Sequence, residues 1–161
     1  MALPSGFEHH DHGQCISLGL DAVEQHCITH KLQLTPVRRR VLEILLSEHK
    51  AMGAYDILDR LRTEGLGSQP PVAYRALDFL VGHGFAHRIE RLNAFIACMR
   101  FEGRHTPAFL ICRVCDRVSE MRSDPSNGEL GRAAREAGFS IERTVREAEG
   151  VCPDCAPESP A

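Results

Sequence analysis

The spacing of apolar positions changes near residue 84, and the change divides the chain. Up to about residue 84 they recur with helical spacing; beyond it they alternate or cluster in short runs. "MALPSGFEHHDHGQCISLG" has neither period, and residues 1–17 read as a flexible arm. "LDAVEQHCITHK" reads as a modest helix. In "LTPVRRRVLEILLSEHK", Thr35 suits a helix N-cap and Pro36 the first helical position, with Val37, Val41, Ile44 and Leu45 on one face. "GAYDILDRLRTEG" repeats the design, with Ile57, Leu58 and Leu61 inward and Gly65 as the stop. After the break "LGSQPP", "VAYRALDFLVGHG" places Ala73, Ala76, Leu77 and Leu80 inward and stops at Gly82 or Gly84.

"FAHRIE" and "AFIAC", joined by "RLN", then read as a β-hairpin. Short helices followed by a hairpin are the order of a winged helix, here spanning 18–92, whose last helix enters a DNA major groove. "PAFLICRVC" and "RVSEM" read as strands. "PSNGELGRAAREAGF" reads as a helix of Leu130, Ala133, Ala134 and Ala137, and "SIERTVREAEG" as a strand with Ile141, Thr144 and Val145 alternating. The fold class is α+β: a winged-helix DNA-binding domain followed by a small α/β domain over 107–155. A β–β–α–β piece this small buries too little to stand alone and needs a staple, a partner chain, or both.

The staple is written in the cysteines. Cys112/Cys115 and Cys152/Cys155 form two CxxC pairs with 36 residues between them. Two such turns complete a tetrahedral tetrathiolate site, which suits a structural Zn²⁺ with no open position. A redox CxxC, the competing reading, usually stands singly at a helix start. Seven cysteines, an odd number, also argue against a disulfide framework.

Charge adds one point. The net charge is −3, yet residues 31–91 carry ten Lys/Arg against seven Asp/Glu, while both flanks are acidic. A basic middle fits a nucleic-acid face or an ordinary solvated surface. No apolar run approaches 18 residues and no basic residue precedes Lys31, so the expected location is cytoplasmic, with no membrane partner. No HExxH, HxE…PCxxC or nucleophile motif is present, so no enzyme and no small-molecule substrate is expected.

Further potential ligands crowd the junction between the two parts: His87, Cys98, His105 and Glu120. Spacing alone leaves a second metal site open, since a lone His on a hairpin is usually a surface residue and a lone Cys on a strand a small hydrophobe. His9, His10 and His12 with Cys15 read as a polar arm or a weak accessory metal site. His26, Cys27 and His30 read as an ordinary helix face, and His49 and His83 as surface residues.

"QLTPVRRRVLEIL", "GAYDILDRL", "PPVAYRALDFLVGHGFAHRIE" and "FLICRVCDRVSE" together resemble the ferric uptake regulator superfamily, and within it the zinc-sensing branch. The resemblance runs from about residue 20 to residue 155. It implies that the CxxC cysteines hold structural zinc and that His87, Cys98, His105 and Glu120 hold a regulatory one, giving two Zn²⁺ per chain. It implies that 93–106 is a hinge, 107–155 a dimerisation domain and 156–161 a tail. Tyr55 and Arg75 match residues that touch DNA bases, and Tyr74 is grouped with them. Arg38, Arg39 and Arg40, beside a helix start, are candidates for phosphate contacts or form a solvated face.

The function implied is a zinc-responsive transcriptional repressor, a homodimer on palindromic double-stranded DNA that represses zinc-uptake genes. The alternative is a sensor of iron, manganese, nickel or peroxide in the same superfamily. One soft thiolate, two imidazoles and a carboxylate favour zinc over manganese and ferrous iron. The HHDH run that iron and peroxide sensors carry before the first CxxC reads "RHTPAF" here. A zinc-buffering protein without DNA binding is disfavoured by the basic helical part and Arg75. Val72 stands where relatives usually have Thr; it cannot serve as an N-cap, which leaves the detail of base preference open.

Overall fold

Four helices and a hairpin make the first lobe. The computed structural model describes residues 7, 11–101, 103, 105–124 and 127–157. Helix α1 (His12–Thr29) is capped by Asp11, whose carboxylate accepts from the Gly13 and Gln14 amides, so helix begins within the stretch read as an arm. Helix α2 (Pro36–Leu46) is capped as expected, the Thr35 hydroxyl accepting from Arg38 N–H at 3.4 Å. Helices α3 (Ala54–Thr63) and α4 (Pro70–Gly82) end at Gly65 and Gly84, both left-handed. Leu66 N–H and Phe85 N–H reach back to the Leu61 and Leu80 carbonyls and close each end.

Helix α4 starts earlier than the hydrophobic period indicated. Pro70 and Pro71 occupy its first turn, Gln69 is the N-cap, and no side chain caps it. Val72 is therefore not at the cap position. It packs instead against Gly67, where a Cβ would come within 2.6 Å of the Val72 side chain.

Val41, Leu42, Ile44, Leu45, Ile57, Leu58, Leu61, Leu77, Leu80 and Phe85 form the buried core of this lobe. Strands β1 (Ala86–Ile89) and β2 (Ala94–Ala97) follow as an antiparallel hairpin.

The second lobe is a three-stranded sheet in the order β4-β3-β5, made of β3 (Thr106–Cys112), β4 (Val118–Ser123) and β5 (Glu147–Gly150). β4 runs antiparallel to β3, and β5 parallel to it. Helix α5 (Glu129–Glu136) precedes β5. The segment 140–146, read as part of a long strand, has no regular structure, and only Glu147–Gly150 pairs with β3. Leu130 and Phe139 are exposed, so the apolar side of α5 is not buried in its own chain.

The lobes meet on a second, smaller apolar cluster. Ile89 and Ile96 of the hairpin pack with Phe109, Ile111 and Val118 of the sheet. Backbone contacts reinforce it: Lys50 bridges to Arg117, and Val118 N–H donates to His49 C=O at 2.9 Å. Among the described residues no helix is long and apolar enough to cross a membrane.

Candidate metal centres

The first cluster sits where β3 and β5 end. Pairing of Cys112 with Gly150 brings the β3 turn beside the turn that follows β5. The four cysteine Sγ atoms of Cys112, Cys115, Cys152 and Cys155 then lie within 4.8 Å of one another. Cys152 N–H donates to Cys112 Sγ at 3.3 Å, and amides in the first CxxC turn add to it. These donors pull the Cys112 thiol down to about 6. Arg117 lowers Cys115 by donating to its sulfur at 3.4 Å, and it reaches Cys152 Sγ at 3.6 Å while pairing with Asp154. Sulfur–sulfur contacts push Cys155 up, to about 12. A sulfur cage with amide and guanidinium donors aimed at it suits a thiolate-bound Zn²⁺.

The second cluster is assembled from four places. His87 is on β1, Cys98 follows β2, His105 precedes β3 and Glu120 is on β4. Their ligand atoms also lie within 4.8 Å of one another. His105 Nε2 is 2.7 Å from Glu120 Oε1, and Cys98 Sγ lies 3.6 Å from His105 Nε2 and 3.7 Å from Glu120 Oε1. His87 Nε2 lies 3.3 Å from Glu120 Oε1, yet it is buried without a hydrogen bond. The far sides of the ligands are held: His105 Nδ1 by the Gly103 carbonyl at 3.3 Å, and Glu120 Oε2 by Met99 N–H at 3.4 Å.

The electrostatics of this cluster are unfinished without a cation. Burial, then the neighbouring Glu120, pushes the Cys98 thiol up to about 12. Burial pushes Glu120 up as well, but His87 and His105 outweigh it and hold the carboxyl below the usual range. An orphaned imidazole nitrogen beside a carboxylate, a thiol and a second imidazole fits a tetrahedral Zn²⁺ set.

The other sequence-selected residues fall outside both clusters. Tyr55, Tyr74 and Arg75 are exposed on α3 and α4. Arg38 lies 3.9 Å over the Phe79 ring and donates to Gln33 C=O. Arg39 pairs with Glu24 and Glu43, and Arg40 with Glu64 and Glu43. Cys15 and Cys27 are buried in the helical lobe, while the His26 and His30 rings stack at 3.9 Å. His9 and His10 lie outside the described residues. Two residues that sequence reasoning missed stand beside the clusters: Arg117 on the sulfur cage, and Glu147, which grips the hairpin.

A winged helix joined to a sheet that carries a four-cysteine cluster, with a mixed ligand set at the seam, is the architecture of a two-lobed metal-dependent regulator. The chain belongs to the Ferric uptake regulator family, whose model matches residues 29–146. It is 36% identical over 137 residues to the "Zinc uptake regulation protein" of Escherichia coli (strain K12), covering 84% of this chain and 80% of that one. A solved zinc uptake regulator complexed with zinc and DNA superposes with a TM-score of 0.81 at 35% identity, over 87% of this chain and 94% of that one. XcZur, solved in two forms, separates them. The holo form gives a TM-score of 0.77 at 36% identity, over 87% of this chain and 97% of that one. The apo form gives 0.51 at 37% identity, over 89% and 99%. At nearly the same identity, this chain superposes better on the holo form than on the apo form.

Proposed function

We propose that this chain is a zinc-responsive transcriptional repressor: a homodimer, loaded with two zinc ions per chain, that binds palindromic operators and represses zinc uptake. One observation carries the reading: the second ligand set takes His87 from the winged helix and His105 and Glu120 from the sheet side, so its closure sets the angle between the lobes. The names of the relatives support zinc as the signal and DNA as the target. It acts as a regulator rather than an enzyme, and in the cytoplasm, where the DNA is.

His87, Cys98, His105 and Glu120 would hold the second zinc, which would supply a positive charge that compensates a Cys98 thiolate and the Glu120 carboxylate. The rest is done by the chain. Cys112, Cys115, Cys152 and Cys155 hold the end of β5 against β3, and so build the second lobe. His87 ties β1 to β4, and Cys98 and His105 fix the two ends of the connection between lobes. Leu130, Phe139, Ile141 and Val145 line an open groove of about 500 Å³ that a second copy of the chain covers. Two winged helices held this way face major grooves about 34–36 Å apart on a two-fold operator. Tyr55, Tyr74 and Arg75 then face the bases, Arg75 with the fork that reads guanine. Arg38 and Arg39 contact phosphates after exchanging their surface partners. Moving from mostly incompetent to mostly competent needs roughly 5.5 kcal/mol of differential binding, within what a well-made zinc site supplies.

The test is fluorescence anisotropy on the promoter of a zinc-importer operon, with free zinc, iron and manganese each buffered. Binding that appears only above a low free-zinc threshold is expected. Binding driven equally by iron or manganese contradicts the reading.

A further inference from the structure

One row of the small sheet touches the hairpin at both ends. Glu120 on β4 is the register partner of Phe109 on β3, and Phe109 is the partner of Glu147 on β5. Directly paired residues put their side chains on one face, so Glu120, Phe109 and Glu147 form a line across it. Phe109 is buried, and its ring lies 5.5 Å from that of His87. At one end of the line, Glu120 approaches His87. At the other, the two oxygens of Glu147 accept from Glu90 N–H at 2.6 Å and Arg91 N–H at 2.9 Å, in the turn that leaves β1.

We propose that Glu147 is a positioning residue for the zinc response: with no metal of its own, its carboxylate holds β1 in the register that delivers His87 to Glu120. The proposal rests on reading His87, Cys98, His105 and Glu120 as the zinc-sensing set. Ion pairs at the same turn contribute less. Arg91 with Glu149, and Arg143 with Glu90, join side chains in which the arginines are 56% and 72% exposed, and pairs of that kind are weak. The apolar seam of Ile89 and Ile96 on Phe109, Ile111 and Val118 supplies area but little direction. A carboxylate taking two adjacent amides fixes direction and register together.

A contact made only when the lobes are closed raises the population of the closed form. The apparent zinc affinity of the second set rises with that population, and operator affinity is linked to it. Glu147 therefore sets the zinc threshold without touching zinc or DNA. β5 runs directly into the second CxxC, so the structural zinc also holds this grip in place.

The experiment uses the full chain carrying its structural, four-thiolate zinc, verified by metal analysis. Zinc uptake at the second set is measured by competition with a fluorescent chelator, in wild type, Glu147→Gln, Glu147→Ala and Glu149→Ala. Glu147→Ala is expected to weaken second-site zinc affinity about tenfold, the scale of lost hydrogen bonds to a charged group. Glu147→Gln, keeping one acceptor, should lose less, and Glu149→Ala should stay within about twofold. Saturating zinc should then restore operator binding by Glu147→Ala to near the wild-type level, a rescue that a folding defect would not give. Unchanged zinc affinity in Glu147→Ala, or operator binding that saturating zinc fails to rescue, overturns the proposal alone. A wild-type chain that takes up no second zinc overturns the reading beneath it, and the proposal with it.

Discussion

The two ligand clusters are alike in size and opposite in construction. Cys112, Cys115, Cys152 and Cys155 all come from one lobe, while His87, Cys98, His105 and Glu120 straddle the seam between two. Their thiols are prepared differently as well. Cys112 is drawn down to about 6 by amide donors, whereas burial and Glu120 push Cys98 up to about 12. The tetrathiolate set lowers Cys112 and Cys115 but raises Cys155 to about 12, so it is the placement of all four ligands in one lobe that couples its metal to folding. A site that must first release a proton and draw two lobes together binds only when enough metal is present. On the reading proposed above, the difference separates a staple from a sensor within one chain.

The largest effect that tests this contrast is at the staple. Cys112→Ser should leave the second lobe unfolded and abolish the dimer, because a structural zinc site contributes on the order of 10 kcal/mol, as much as a whole domain's stability. Circular dichroism and size-exclusion chromatography read it. Cys98→Ser should keep the fold, the dimer and one zinc per chain, and reduce zinc-dependent operator affinity by on the order of 100-fold. Equal behaviour of the two mutants would erase the distinction.

A smaller effect sharpens it through pH. In the zinc-free fold the raised Cys98 pKa means that stability is full below the ordinary thiol value of 9.0 and is lost as pH rises towards about 12. Near neutrality the thiol is therefore protonated, and zinc must displace that proton. Second-site zinc affinity should rise roughly tenfold per pH unit from this group, measured by chelator competition between about pH 7 and 8. Glu120, held below the usual carboxylate range, stays ionised there and adds no slope. The smallest effect lies away from both clusters: Thr35→Ala should cost about 1 kcal/mol in denaturant unfolding of the helical lobe and leave zinc affinity unchanged.

The same contrast explains what the sequence made legible. Local chemistry could be read directly: the Thr35–Pro36 start of α2, the stops at Gly65 and Gly84, the hairpin, and the paired CxxC spacing. The seam set could not be read from spacing, because its four residues meet only where the hairpin docks on the sheet; the family resemblance singled them out. The start of α1 was hidden by Gly13 and by a histidine-rich run, although Asp11 gave a capping signal. Residues 140–146 alternate like a strand but lie outside one: the Arg146 carbonyl accepts from Phe109 N–H at 2.9 Å, and regular pairing with β3 begins at Glu147. Arg117 lay two residues beyond a CxxC, a signal that proximity could have supplied. Glu147 carried none, since a carboxylate gripping a turn 57 residues earlier leaves no local pattern.

On the proposed function, zinc at the seam, not at the staple, licenses DNA binding. The most direct measurement is operator affinity of the wild-type chain prepared with one and with two zinc ions. A folded dimer that binds operator weakly is expected at one zinc, and tight binding only at two. Tight operator binding at one zinc per chain, unchanged by the second, would contradict it.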